Sequence, residues 1–189
     1  PPHDHSDAEV TDFFAEYSKI PAFGPLFAKA EAILADHPVN RERARQGKRT
    51  ANGIWLWGEG KRPAMQTLEA RFGIRGGLIS AVDLLKGLGV LGGLQVIDVP
   101  GATGYLDTNY AGKAQAAIDV LAKDDFVLVH VEAPDETGHQ GLAKEKVQAV
   151  ADFDAKIVAP IVEAMEQRGE PFRLMVTMDH YTPIHRRTH

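Results

Sequence analysis

Two short segments of this chain concentrate side chains of the kind that bind metal ions. Asp135 and His139 lie in Pro134-Asp135-Glu136-Thr137-Gly138-His139, and Asp179, His180, His185 and His189 lie in the tail. An aspartate and a histidine one helical turn apart share a helix face. Adjacent residues such as Asp179 and His180 at a strand exit point to different sides, so one segment can serve two neighbouring ions. Imidazole with carboxylate suits zinc, manganese or iron, and oxygen-rich sets suit magnesium or manganese. Two ions held close together clamp a phosphoryl group in transfer. Taken singly, each residue also fits a plainer account: Asp135 as a cap or turn residue after Pro134, and His180, His185 and His189 as surface histidines. Taken together, the two segments favour the metal site.

Each segment follows a short apolar run, residues 126–131 and 172–178, bounded by polar turns as buried strands are. Residues 77–82 and 94–99 predict two further strands. Helical spacing covers 83–91, 109–122 and 144–167, the last with Val147, Val150, Ile157, Ile161 and Met165 on one stripe. Strands alternating with helices predict an α/β fold, a parallel sheet of four strands flanked by helices on both faces. Ligands collect at the carboxyl ends of such strands, which gives Asp135, His139, Asp179, His180 and His189 a common crevice. Pro160 removes a backbone bond and crowds the carbonyl of Lys156, so the long helix is expected to bend there. Gly87-Leu88-Gly89-Val90-Leu91-Gly92 matches the dinucleotide pattern G-x-G-x-x-G. Its glycines close a helix instead of opening one, which reads as a C-cap and a turn. Pro100-Gly101-Ala102-Thr103-Gly104-Tyr105 reads as a loop after a strand.

Ahead of these elements, residues 23–36 predict a packing helix. Residues 40–49 hold Arg41, Arg43, Arg45, Lys48 and Arg49, either a solvated helix face or a guanidinium clamp for phosphate. Trp55 and Trp57 alternate as in a strand, with Gly58-Glu59-Gly60 as its turn. His3, Asp4 and His5 form a small polar cluster of the kind that often binds nothing in particular. An apolar fraction of 44% supports a sizeable core, and the absence of cysteine excludes disulfides and thiolate ligands. A net charge of −5 argues against nucleic acid as a partner. No apolar run approaches a membrane span and no leader is evident at Pro1, so a cytoplasmic protein without membrane insertion is expected. The opening Pro1-Pro2 reads as the interior of a longer chain.

Several ordered motifs carry a family resemblance. Gly53-Ile54-Trp55-Leu56-Trp57-Gly58-Glu59-Gly60, Ile79-Ser80-Ala81-Val82-Asp83-Leu84-Leu85-Lys86-Gly87, Val99-Pro100-Gly101-Ala102-Thr103-Gly104-Tyr105, His130-Val131-Glu132-Ala133-Pro134-Asp135-Glu136, Asp179-His180 and Arg187-Thr188-His189 are similar to cofactor-independent phosphoglycerate mutase of the archaeal type, within the alkaline phosphatase superfamily. The resemblance implies a glycolytic isomerase that interconverts 3-phosphoglycerate and 2-phosphoglycerate through a phosphoserine intermediate. It implies two divalent metal ions (manganese, zinc, magnesium or cobalt) and no 2,3-bisphosphoglycerate. Asp135, His139 and His189 would hold one ion, and Asp179 and His180 would help hold the other. The family's nucleophilic serine and its first aspartate lie in an amino-terminal half that this sequence does not contain. Ser6, Ser18 and Ser80 are the only serines, and none stands in that context, so the chain alone is expected to be inactive. Residues 1–75 would be the end of a cap domain and 76–189 the carboxyl-terminal part of the metal-binding core. Arg43 and Lys86 are the candidates for anchoring phosphoglycerate. A phosphatase or another phosphoryl-transfer member of the superfamily, or a non-catalytic fragment, are the alternatives.

Overall fold

The computed structural model describes residues 2–5 and 8–189, which divide into two compact units, Pro1–Arg62 and Pro63–His189. Ser6 and the side chains of His3 and Asp4 lie outside the described residues.

The first unit follows a 3₁₀ turn, Pro2–His5, with helices α1 (Thr11–Ser18), α2 (Phe23–Ala35) and α3 (Pro38–Arg45). His37 caps α3 by accepting from the Val39 amide, and Pro38 occupies its first turn, where a missing N–H costs nothing. Buried Asn40 donates to the carbonyls of Leu34 and Ala51 and accepts from the Ala51 amide, which pins the following chain onto α2 and α3. The strand expected at Trp55 and Trp57 does not form, because that stretch finds no ladder partner. Trp55 instead packs edge-on to Phe14, with ring centroids 5.3 Å apart, while Trp57 remains 53% exposed.

The second unit begins with α4 (Leu68–Phe72) and then alternates strands with helices: β1 (Gly76–Ile79), α5 (Asp83–Leu91), β2 (Gln95–Ile97), α6 (Tyr110–Leu121) and β3 (Phe126–Val129). The strands are parallel in the order β2-β1-β3, with Ile79 opposite Ile97 on one side and Val129 on the other. Residues 63–75 belong to this unit: the Leu68 amide donates to the Gly92 carbonyl.

Alternation along β1 assigns the two faces of the sheet. Ile79 enters the core with Tyr110, Ala114 and Ala117 of α6, whereas Leu78 meets Gly89 of α5 on the opposite face. A Cβ at Gly77 would lie 2.9 Å from the Val120 side chain, so glycine is what lets α6 press against the strand. The glycine patch ends α5 as expected. The Leu94 and Gly93 amides donate to the carbonyls of Gly89 and Val90, with Gly93 at φ +76°, the bonding of a Schellman cap. At the other helix terminus of this crossover, Asn109 caps α6 by accepting from the Gly112 amide.

After β3 come α7 (Ala133–His139), α8 (Ala143–Phe153), a π turn (Asp154–Val158) and α9 (Ala159–Arg168). The π turn ends two residues before Pro160, where the chain lacks a donor and wider bonding relieves the carbonyl clash. It also shifts the helix phase. Ile157, Ile161 and Met165 are buried as expected, but Val147 and Val150 of the same expected stripe are exposed, and α8 buries Ala149 and Asp152 instead. The largest departure is the fourth strand: residues 172–178 make no ladder, and Leu174, Met175, Val176 and Met178 stand exposed. An apolar run becomes a strand only where a neighbouring backbone satisfies its amides and carbonyls, and among the described residues β1, β2 and β3 pair only with one another.

Candidate metal centre

The site is built where β3 leaves the sheet. The His130 amide donates to the Ile79 carbonyl, extending the ladder by one bond, and the chain then turns into α7. Pro134 and Asp135 fall in the first turn of that helix and His139 in its last. Asp135 Oδ2 and His139 Nε2 are 3.2 Å apart, the contact their spacing implied.

The tail lies along this helix. A Cβ at Gly138 would come 2.7 Å from the Thr182 carbonyl, so α7 has no side chain where the tail crosses it. Lys146 of α8 donates to that same carbonyl at 2.9 Å, and the buried Thr182 hydroxyl donates to Asp135 Oδ1. One helical turn follows, in which the Arg186 and Arg187 amides both donate to the Pro183 carbonyl. The chain then doubles back, and the His189 ring lies tilted against His180, with centroids 3.9 Å apart, and edge-on to His139 at 5.4 Å. Asp135, His180 and His189 each present a ligand atom within 4.8 Å of the other two.

The donor set fits a divalent cation. His139 Nδ1 faces the Arg187 carbonyl at 2.8 Å; since a carbonyl only accepts, Nδ1 carries the proton. With Nδ1 as the donor, a neutral His139 turns the lone pair of Nε2 toward the Asp135 carboxylate. Two acceptors 3.2 Å apart repel unless a proton or a metal ion lies between them. An imidazole held by a backbone carbonyl through its other nitrogen is the usual support of a metal-ligating histidine.

Other expected residues stand apart. Asp179 is exposed and folds onto its own neighbour, with Oδ1 accepting from the His180 amide and Oδ2 3.5 Å from His180 Nε2. Partial burial opposes its charge, but the His180 amide and the imidazoles of His180 and His130 hold the Asp179 carboxyl below its ordinary range. His180 lies with Asp135 and His189, and His139 lies beside Asp135. His185 is exposed and outside the group. Lys86 is paired with Asp98 at 3.3 Å. Arg43, in the first unit, donates to the Arg49 carbonyl.

A second polar cluster backs the first. Ser80 Oγ, buried at the end of β1, accepts from the Val82 amide and contacts His130 Nδ1 at 3.2 Å. His130 Nε2 is 3.1 Å from Glu132 Oε2. Lys113 is wholly buried, and its Nζ donates to the His130 carbonyl. Burial pushes the His130 and Lys113 pKa values down. Burial, together with Asp135, Glu136 and Asp179, pushes Glu132 up. Of these residues, Lys113 carried a legible signal: it interrupts the buried stripe of Tyr110, Ala114 and Ala117. Thr182, Lys146 and Ser80 carried none, because their roles depend on segments distant in sequence.

A family model described as the metalloenzyme superfamily matches residues 5–189. The chain belongs to that superfamily. It is 49% identical, over all of its length, to a 2,3-bisphosphoglycerate-independent phosphoglycerate mutase of Methanosarcina acetivorans, covering 48% of that relative. It is 46% identical to a probable enzyme of the same name from Geobacter sulfurreducens, covering 47% of it. The chain thus spans about half the length of the curated relatives it matches. Among solved structures, the PH0037 protein from Pyrococcus horikoshii superposes with a TM-score of 0.69 at 27% identity, over 89% of this chain and 44% of that one.

Proposed function

We propose that this metalloenzyme chain is the later half of a cofactor-independent phosphoglycerate mutase. In that reading residues 1–75 are the end of a cap domain and residues 76–189 the carboxyl-terminal part of the catalytic core. The observation that carries it is the convergence of Asp135, His180 and His189, with His139 beside them, at the exit of a parallel strand. The names of relatives that match the whole chain support the substrate.

Asp135, His139, His180 and His189 would hold a divalent cation, with Asp179 available to a second. Manganese, zinc, magnesium and cobalt are the candidates. Bound there, the ions supply positive charge where a phosphoryl group in transfer accumulates negative charge. Thr182 and the Arg187 carbonyl orient Asp135 and His139 before any ligand arrives. Arg43 and Lys86 would anchor phosphoglycerate, and the rest of the enzyme would supply the serine that takes up the phosphoryl group. Ser18 donates to its own helix at Phe14, and Ser80 is buried against His130. The working enzyme is soluble and cytoplasmic in this reading; among the described residues no helix is long and apolar enough to cross a membrane.

The test follows phosphorus NMR of 3-phosphoglycerate with manganese present. The 189-residue chain alone is expected to form no 2-phosphoglycerate, and the chain extended by the amino-terminal half found in the relatives is expected to form it. Turnover by the chain alone, or none by the extended enzyme, would overturn the reading.

A further inference from the structure

We propose that Arg187 is a positioning residue of the metal centre that acts through its backbone. Its left-handed conformation fixes the tautomer of His139 and returns the chain so that His189 arrives beside it. The link to metal rests on the reading above; the geometry stands apart from it.

Arg187 is the only non-glycine residue with positive φ among those described, at +56°. That region brings Cβ close to the carbonyl oxygen and costs roughly 1–2 kcal/mol for an ordinary residue, so glycine usually fills it. The position closes the single helical turn begun at Pro183, where a left-handed residue reverses the chain. Two consequences follow from this one dihedral. The Arg187 carbonyl swings toward α7 and accepts from His139 Nδ1 at 2.8 Å. Thr188 and His189 then run back toward Asp135 and His180.

A specific contact accompanies the strained backbone. The Arg187 side chain lies on Gly141, itself left-handed at φ +74°, where a Cβ would come 2.7 Å from Arg187 Nε. Gly141 lies in the link from α7 to α8, two residues beyond His139. The guanidinium therefore rests on the segment that carries the histidine, and this contact helps arginine remain where glycine would be the easier choice. The arrangement matches the second layer of a metal site, in which a carbonyl holds the histidine ring and leaves its other nitrogen to the ion.

The test compares wild type with Arg187→Gly, Arg187→Ala and Arg187→Val in the 189-residue chain, with urea unfolding midpoints as a check on the fold. Imidazole nitrogen NMR of the metal-free protein reads the His139 tautomer directly. Wild type and Arg187→Gly are expected to keep the proton on Nδ1, Arg187→Ala to lose it in part, and Arg187→Val, whose branched side chain opposes positive φ, to lose it. Zinc affinity by calorimetry should stay within about threefold for the glycine variant and fall about tenfold or more for valine, the range seen when support of a metal ligand is removed. A glycine variant as impaired as valine would overturn the proposal, since the guanidinium and not the backbone would then carry the effect. So would an unchanged tautomer in all variants. The expected tautomers with no zinc binding by any form would refute the metal reading and uphold the Arg187 turn.

Discussion

Lys113 of α6 lies wholly out of solvent and donates from Nζ to the carbonyl of His130 across 3.3 Å, joining a core helix to the point where β3 leaves the sheet. A buried ammonium is retained at a cost, and its position ties the core to the segment that becomes the metal centre.

Lys113→Met keeps the volume and removes the donor, leaving the His130 carbonyl short of a partner. A loss of about 1–3 kcal/mol is expected near neutral pH. The loss should grow as pH rises through the depressed folded-state pKa toward the ordinary lysine pKa of about 10.4. Burial lowers the Lys113 pKa in the fold, so the unfolded chain binds the proton more readily and wild-type stability gains with pH across that window. Urea unfolding of both proteins at several pH values checks this; a difference independent of pH would contradict it.

Thr182→Val is nearly isosteric but removes the hydroxyl that donates to Asp135. Zinc or manganese affinity should fall about tenfold, and Thr182→Ser should recover most of it. Calorimetry on the two variants distinguishes a lost hydrogen bond from lost packing, which serine would not restore.

Gly138→Ala should separate fold from site. Alanine favours a helix over glycine by about 1 kcal/mol, yet its Cβ would meet the Thr182 carbonyl at 2.7 Å and lift the tail from α7. The unfolding midpoint should hold or rise while metal affinity drops. A parallel fall in both would show that the tail is integral to the core.

His139→Ala should weaken metal binding more than His185→Ala, because His139 faces Asp135 while His185 is exposed outside the group. Titration of manganese or zinc by calorimetry decides it, and equal losses would remove His139 from the site.

Val176→Lys places a charge in the exposed apolar stretch 172–178. Unpaired extended segments of this composition template association. Light scattering at increasing concentration should show less self-association with an unchanged unfolding midpoint.

Much of this molecule is legible in residue order. The helices at 83–91 and 109–122 followed from apolar spacing, the first also from its glycine C-cap, and Asp135 and His139 met because a helix places such residues on one face. The parallel β1 and β3 followed from the alternation of strand and helix. These features depend on neighbours in sequence, whose geometry the backbone fixes. The tertiary structure alone decided the rest. Residues 172–178 have the composition of a buried strand and are not one, because strand formation needs a neighbour's hydrogen bonds. The π turn before Pro160 moved the buried stripe off Val147 and Val150, a phase change that periodicity does not record. Likewise, the partnership of His180 with Asp135 and His189, the Thr182 hydroxyl on Asp135 and the Arg187 carbonyl on His139 arise where the tail crosses α7. Side chains that meet across two separate segments are set by the packing between them, and no spacing within either one specifies that.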